Sequence, residues 1–343
     1  MGVISTGIRL PTASLKCHSV GVILTANLLG RCYPLNRIRV RVPATTANLG
    51  PGFDCLGLAL DLYNTVAVET GQSFSISITG EGAQALDRSP KNLVYRAMAA
   101  VYERIGRPVP PCRLSCHNEI PLRRGLGSSA AAAAGGLVTA NLLCGQPLPT
   151  EELIRLGTAL EGHPDNIAPA ILGGCQIAVL EGGKVITAAV SWPQALKAVL
   201  FIPDFEMATA QARSILPPQV SRADAIYNIS RTALLVTALT TGRFEHLRVA
   251  TQDRLHQPAR QAIFPAMSAI FEAALAAGAL GAFLSGGGST ILALAVDKAE
   301  AIAEAMARAA QGAGVTGRTR LARASALGAH PVIEATAKDG VSP

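Results

Sequence analysis

Several stretches carry residue types that could do chemistry together. Residues 121–136 read PLRRGLGSSAAAAAGG. Gly125 and Gly127 let a backbone turn and approach a ligand without a Cβ penalty, and Ser128 and Ser129 open an alanine-rich run that favours helix. The first turn of such a helix presents unpaired N–H groups and the positive end of its dipole. The string is therefore a seat for an anion, with two hydroxyls to cap the helix or to reach a phosphate or its metal ion. It is not a Walker loop, because no Lys-Ser or Lys-Thr closes it, nor a G-x-G-x-x-G turn, because Ala130 stands where the third glycine would be. A glycine turn feeding a buried helix is the plainer reading of the same residues.

Two further polar clusters could supply an acceptor. In residues 161–174, EGHPDNIAPAILGG, Glu161, His163, Asp165 and Asn166 fall within six positions. Pro164 and Pro169 are expected to prevent a regular helix there, so that side chains converge from an irregular segment. Carboxylates beside an imidazole suit a metal ion, a proton or an ammonium group. In residues 43–54, PATTANLGPGFD, Asn48, Gly50, Gly52 and Asp54 crowd into a turn after a strand, where an amide and a carboxylate can grip a polar ligand. An Asx-type turn that satisfies only its own backbone is the alternative. Thr209 and Arg213 share a face if their segment is helical, and DRLHQPAR, residues 253–260, ends in Arg260, a carboxylate or phosphate clamp unless it is a surface charge. A second glycine cluster spans residues 286–288.

The elements that must hold these residues are legible from periodicity. RIRVRV, residues 37–42, alternates as a half-buried strand with its arginines to solvent. Strands are also expected at 74–79, 112–119, 176–180, 198–202 and 291–296, and helices at 92–105, from 128 to about 143, at 150–160, across 221–250 and at 299–311. The chain has 343 residues, enough for two domains. The expected division is residues 1–36 as an extension, 37–192 and 193–343. Residues 1–36 hold no acid, a short apolar run and a nominal Met1-Gly2-x-x-x-Thr6 acylation pattern, and read as a targeting segment, a misassigned start or a flexible arm. Neither apolar stretch, 130–144 or 273–284, is long and uninterrupted enough to span a bilayer.

A net charge of +7 with interspersed signs and no basic cluster threaded by aromatics favours small anionic ligands over nucleic acid or membrane. Seven cysteines without a C-x-x-C pair read as reduced cytosolic thiols. Cys112, Cys116 and His117 lack a fourth ligand at zinc spacing.

Taken in order, PATTANLGPGFD, PLRRGLGSSAAAAAG and FLSGGGST resemble the GHMP kinase superfamily. EGHPDNIAPAILGG, TAQAR around Thr209 and Arg213, and DRLHQPAR narrow the resemblance to the homoserine kinase family. It covers roughly residues 37–330; Arg123 departs from the glycine expected in such loops. The resemblance implies an α+β fold of two domains, ribosomal-S5-domain-2-like then ferredoxin-like. It implies ATP- and Mg²⁺-dependent phosphorylation of the side-chain hydroxyl of L-homoserine, by a homodimer. It further implies that Leu122, Arg123, Arg124, Gly125, Leu126, Gly127, Ser128, Ser129, Ala130 and Ala131 contact the nucleotide, with Asn92 near the adenosine, and that Ser129 and Glu161 hold Mg²⁺. Asn48, Asp54, His163, Asp165, Asn166, Arg213 and Arg260 would surround homoserine, and Asp165, Asn166, Thr209 and Arg213 would serve the transfer. A kinase of this superfamily for another small alcohol, or an ATP-binding protein without catalysis, fits the shared motifs as well.

Overall fold

Two sheets organise the chain in a computed structural model that describes residues 36–332. The arm expected at the N-terminus, with its acylation pattern, Cys17 and Cys32, lies outside the described residues apart from Asn36. The first sheet holds β1 (Arg37–Ala47), β2 (Leu56–Thr70), β3 (Ser75–Gly80), β4 (Cys112–Asn118), β5 (Cys175–Glu181), β6 (Lys184–Val190) and β11 (His330–Pro331). Its order is β11-β1-β2-β4-β3, with β5 pairing the start of β2 and β6 pairing β5. The second is β10-β7-β9-β8, from β7 (Lys197–Pro203), β8 (Gly281–Leu284), β9 (Ile291–Ala295) and β10 (Gly317–Ala322).

β1 behaves as its alternation demands: Ile38, Val40 and Val42 are buried, while Arg37 and Arg41 face solvent. At Pro43 the register with β2 shifts, a bulge where a residue without an N–H can sit in a strand. That bend carries β1 onward to Thr45, Thr46 and Asn48, below the glycine loop. Helices α1 (Leu93–Arg104), α2 (Ser128–Leu143) and α3 (Thr150–Glu161) cover the sheet, with α2 between α1 and the strands. Its glycines are there because nothing larger fits. A Cβ on Gly135 would lie 2.7 Å from Val66, and one on Gly136 would lie 2.2 Å from the Val94 carbonyl oxygen.

The inner strands of the second sheet, β7 and β9, are apolar on both faces. Ala198, Leu200 and Ile202 of β7 join the core that runs through the first sheet, while Val199 and Phe201 face a separate core with α9 (Met267–Ala276) and α10 (Ala299–Gly312). Such a strand reads as an unbroken apolar run. The remaining helices are α4 (Ile167–Leu172), α5 (Thr209–Ser214), α6 (Arg222–Thr241), α7 (Leu247–Ala250) and α8 (Gln257–Arg260). The helix expected across 221–250 is broken at Gly242, which takes a left-handed φ of 70° and caps α6. Residues after Ala322 return to the first sheet through the Leu60–Ala324 bridge and the β11–β1 pairing.

One expectation fails here. Residues 167–172 form a helical turn and a half, α4, despite Pro169. Pro169 occupies the third helical position, where the missing N–H had no intrahelical acceptor to lose.

Gly136→Ala tests the packing of α2. Helix propensity alone would stabilise the variant by about 1 kcal/mol, but overpacking against the backbone of α1 costs about 1–3 kcal/mol. The expected outcome is a lower thermal midpoint by calorimetry. Gly312→Ala, helical and with nothing within 4 Å of the new Cβ, should hold or raise it.

Candidate active site

The glycine loop is held by its carbonyls. The Arg123 carbonyl accepts from Met207 N (2.9 Å), Arg124 from Thr290 N (3.1 Å) and Leu126 from Thr45 N (3.1 Å), and Gly125 accepts from Ser285 Oγ (2.6 Å). With these oxygens engaged by surrounding elements, the amides of residues 125–130 find no protein acceptor among the described residues. Gly125 and Gly127 have φ of 70° and 65°. A Cβ on Gly125 would lie 2.1 Å from the Ser285 carbonyl oxygen, and one on Gly127 would lie 1.8 Å from Thr45 Oγ1. Both positions thus require glycine by conformation and by space.

The serines do not cap α2. Its N-cap is Gly127, which makes no side-chain bond, and Ser129 Oγ instead donates to Glu161 Oε1 at 2.5 Å. The first-turn amides stay open at the positive end of a sixteen-residue helix. Burial raises the Glu161 carboxyl above the usual range, offset in part by the Ser129 bond. A hydroxyl and a carboxylate oxygen side by side at a phosphate seat fit a hard divalent cation, since Mg²⁺ takes one or two protein oxygens and completes its shell with phosphate and water.

Opposite the seat, Asp165 is 2% exposed. Its Oδ1 is bound by His163 Nδ1 at 2.7 Å and by Asn166 Nδ2 at 3.3 Å, and Oδ2 has no protein donor among the described residues. Asn166 is itself fixed by Thr45 Oγ1, 2.7 Å from its Oδ1. Burial opposes protonation of His163, but the Asp165 bond and charge outweigh it and the imidazole pKa is raised.

Asp54 and Arg213, expected to grip opposite charges of one ligand, grip each other. The pair is bidentate at 2.6 and 2.9 Å, and each side chain is 35% exposed. An ion pair that open to solvent contributes about 0.2–1 kcal/mol, so a better-matched ligand can replace it. Arg260 is not a surface charge. At 1% exposure it donates to the Ala212 carbonyl (3.1 Å), the Gly286 carbonyl (2.9 Å) and His256 Nδ1 (2.9 Å). Burial lowers its pKa to about 10, leaving it charged at neutral pH.

One cleft is lined by Asn48, Asp54, residues 123–130, Glu161, His163, Asp165, Asn166, Thr209, Arg213 and Arg260. An adjoining apolar recess is lined by Ile78, Leu86, Leu93, Val94, Cys116 and Leu122, with Asn92 at its wall, and shares Arg123, Ser128 and Ser129 with the cleft. Ala131 is fully buried and lines neither. It sits one position beyond the open turn, its amide already bonded to the Gly127 carbonyl.

Other expected site residues also bond within the protein. Asn92 caps α1 through Val94 N (2.9 Å) and donates to the Asp87 carbonyl (2.7 Å), leaving its amide committed at both ends. Asn48 accepts from Asp54 N and donates to the Gly286 carbonyl, both at 3.0 Å, so the Asx-type turn and the cleft position hold together. The Arg124 guanidinium bonds the carbonyls of Pro203, Asp204 and Leu122, pinning the glycine loop to the second sheet. Gly286 and Gly287 also line the cleft; the cluster at 286–288 was their signal in the sequence. Nothing in it singled out His256.

The family profile of the GHMP kinases N terminal domain matches residues 92–174, and that of the GHMP kinases C terminal region matches residues 235–312. The homoserine kinase of Synechocystis sp. is 48% identical over 260 residues, 75% of this chain and 85% of that one. The homoserine kinase of Desulfitobacterium hafniense is 44% identical over 293 residues, 85% and 99% of the two chains. Among solved structures, the homoserine kinase of Cytophaga hutchinsonii superposes with a TM-score of 0.80 at 28% identity, covering 89% of this chain and all of that one. A mevalonate kinase of L. major shares the fold at a TM-score of 0.64 and 16% identity, covering 86% and 99%.

Gly127→Ala should weaken nucleoside triphosphate binding by at least about tenfold, because the new Cβ displaces Thr45 and strains the left-handed turn. Calorimetric titration with a non-hydrolysable analogue checks this; an unchanged affinity would place the triphosphate elsewhere.

Proposed function

The chain belongs to the GHMP kinases and, within them, to the homoserine kinase family, and from that premise we propose that it transfers the γ-phosphoryl group of ATP to the side-chain hydroxyl of L-homoserine. The products are O-phospho-L-homoserine and ADP. One observation carries the reading: the open amides of residues 125–130 face a cleft whose other wall holds Asp165, Asp54, Arg213 and Arg260.

In this reading the α2 amides take the triphosphate and the adjoining apolar recess takes the base. Ser129 and Glu161 would hold Mg²⁺, which when bound neutralises charge on the phosphate oxygens. Homoserine is a zwitterion, and Asp54 with Arg213 and Arg260 offer the opposite charge to each end. The ligand exchanges one ion pair for two, in a site where Arg260 is already dehydrated. Asp165 offers Oδ2 to the hydroxyl hydrogen and so directs the oxygen at the γ-phosphorus. The new P–O bond forms as the bond to the bridging oxygen of ADP breaks, and the hydroxyl proton, made acidic as its oxygen bonds to phosphorus, leaves by way of Asp165 Oδ2 to solvent. Such a transition state is loose and asks mainly for alignment and charge neutralisation, so a strong base is not required. Thr209, on the cleft face of α5 with Arg213, stands beside the phosphates or the acceptor. Residues 37–192 form the nucleotide domain in this reading, with 193–343 as the second domain apart from the strand that returns to β1.

No helix among the described residues is long and apolar enough to cross a membrane. The five described cysteines are free thiols, which supports a reducing, cytosolic setting. A homodimer belongs to the same reading, and light scattering on the purified chain tests it.

The reading is tested by ADP release across a panel of amino acids, mevalonate and sugars. Turnover with homoserine is expected; turnover with another alcohol and none with homoserine would overturn it. Arg260→Met, which keeps the stem volume, should raise the homoserine KM by about 10–100-fold, the loss of one charged hydrogen bond or two, with the KM for ATP unchanged. Ser129→Ala should instead lower kcat by about tenfold or more and leave the homoserine KM within about twofold.

A further inference from the structure

Among the buried titratable groups outside the phosphate seat, one is placed between both charged grips of the acceptor. His256 is fully buried. Its Nε2 lies 2.8 Å from the Gly50 carbonyl oxygen and its Nδ1 lies 2.9 Å from Arg260 Nη1. A carbonyl only accepts and a guanidinium only donates, so the two partners between them assign the tautomer: the proton is on Nε2 and the lone pair on Nδ1. Burial supports this by lowering the imidazole pKa to about 4, which leaves the ring neutral at neutral pH.

The ring cannot turn away from these partners. Asp253 accepts from the amides of Leu255 (2.9 Å), His256 (3.0 Å) and Gln257 (2.7 Å), fixing the backbone from which the ring projects. Asn228 of α6 ties Asp253 to the Pro51 carbonyl at 2.7 and 3.1 Å. Phe53 stacks on the imidazole with centroids 5.2 Å apart and planes inclined 25°, and the same aromatic ring lies 5.6 Å from Arg213 and 5.7 Å from Arg260. Residues 50–53 lead directly into Asp54.

We propose that His256 is the positioning residue of the acceptor site, holding the Asp54 loop by its Nε2 proton and the Arg260 guanidinium by its Nδ1 lone pair, so that the carboxylate and the cation that grip homoserine keep a fixed spacing. The inference rests on the assignment of Asp54 and Arg260 to homoserine made above. Selection of an α-amino acid over an alcohol that lacks the paired ammonium and carboxylate then depends on a ring that touches no substrate. An acceptor whose ammonium and carboxylate are not carried on one carbon cannot satisfy two grips whose separation is locked from behind.

Two substitutions separate the two bonds. In His256→Gln the side-chain amide N–H can replace the Nε2 proton toward Gly50, but nothing replaces the acceptor for Arg260. In His256→Asn the amide oxygen can replace the Nδ1 acceptor, but nothing reaches Gly50. His256→Gln should raise the homoserine KM by about 10–30-fold and His256→Asn by about 3–10-fold, the KM for ATP staying within about twofold in both. In an Arg260→Met background, adding His256→Gln should change the homoserine KM by less than about twofold, because the grip it aligns is gone.

Unchanged homoserine KM values, parallel rises in the KM for ATP, or multiplicative effects of His256→Gln and Arg260→Met would each overturn the positioning role. If His256→Gln does not yield folded protein by thermal unfolding, His256→Asn carries the test, and no rise in its homoserine KM overturns the role. If Arg260→Met itself left the homoserine KM unchanged, the clamp assignment would fall and this inference with it. A rise with Arg260→Met and none with the His256 variants would sink only the inference.

Discussion

A row of backbone amides has to remain without partners in a folded protein, and the site is built around meeting that requirement. Buried or half-buried N–H groups almost always find an acceptor. Here the chain avoids the usual solution by anchoring the oxygens instead: four consecutive carbonyls, from Arg123 to Leu126, are taken by Thr45 of β1, Ser285 just after β8, Thr290 just before β9 and Met207 just before α5. Each anchored oxygen fixes the peptide plane that follows it, so the N–H groups have no freedom to turn inward. Gly125 and Gly127 are necessary because the neighbours that take the carbonyls, Ser285 and Thr45, sit where a Cβ would be. An anion arriving at residues 125–130 completes a hydrogen-bond set that the fold has left open.

Charge in the remainder of the cleft is arranged for exchange. Asp54 and Arg213 neutralise one another across two distant parts of the chain, at an exposure that keeps the pair weak. Arg260 is the opposite case, a dehydrated cation whose desolvation is offset by two carbonyls and an imidazole. Asp165 combines both strategies, with one oxygen tied by His163 and Asn166 and the other without a protein donor among the described residues. These groups differ in how much order is built in before a ligand arrives, and preorganisation of this kind is what phosphoryl transfer demands of a protein.

Much of the fold could be read from local pattern. The alternation in 37–42, the apolar runs of β7 and β9 and the helical spacing of α1, α3 and α10 all placed their elements to within a few residues, because side-chain periodicity and burial act over single elements. β6 and β10 are not legible in the sequence. β6 is mostly exposed and β10 polar over most of its length, so neither has an apolar period; each is a strand because a neighbour offers it a ladder. α4 is hidden in the sequence because Pro169, a breaker inside a longer helix, falls at a position where it breaks nothing.

The sequence by itself determined the backbone chemistry of the seat, the order of the motifs and the membership in a kinase family that those motifs imply, since glycine freedom, helix propensity and short polar strings are properties of neighbouring residues. Only the tertiary structure decided which polar side chains line the cleft and which partner each finds within the protein. Asn92 became a helix cap, Arg124 a strut, Asp54 and Arg213 an ion pair, and His256 a link between the Gly50 carbonyl and Arg260. The reason is separation along the chain: Thr45 meets Asn166 across 121 positions, Asp54 meets Arg213 across 159, and Asn48 meets Gly286 across 238. A hydrogen bond is settled by whatever donor or acceptor the folded chain brings within about 3 Å, and no local pattern carries that information.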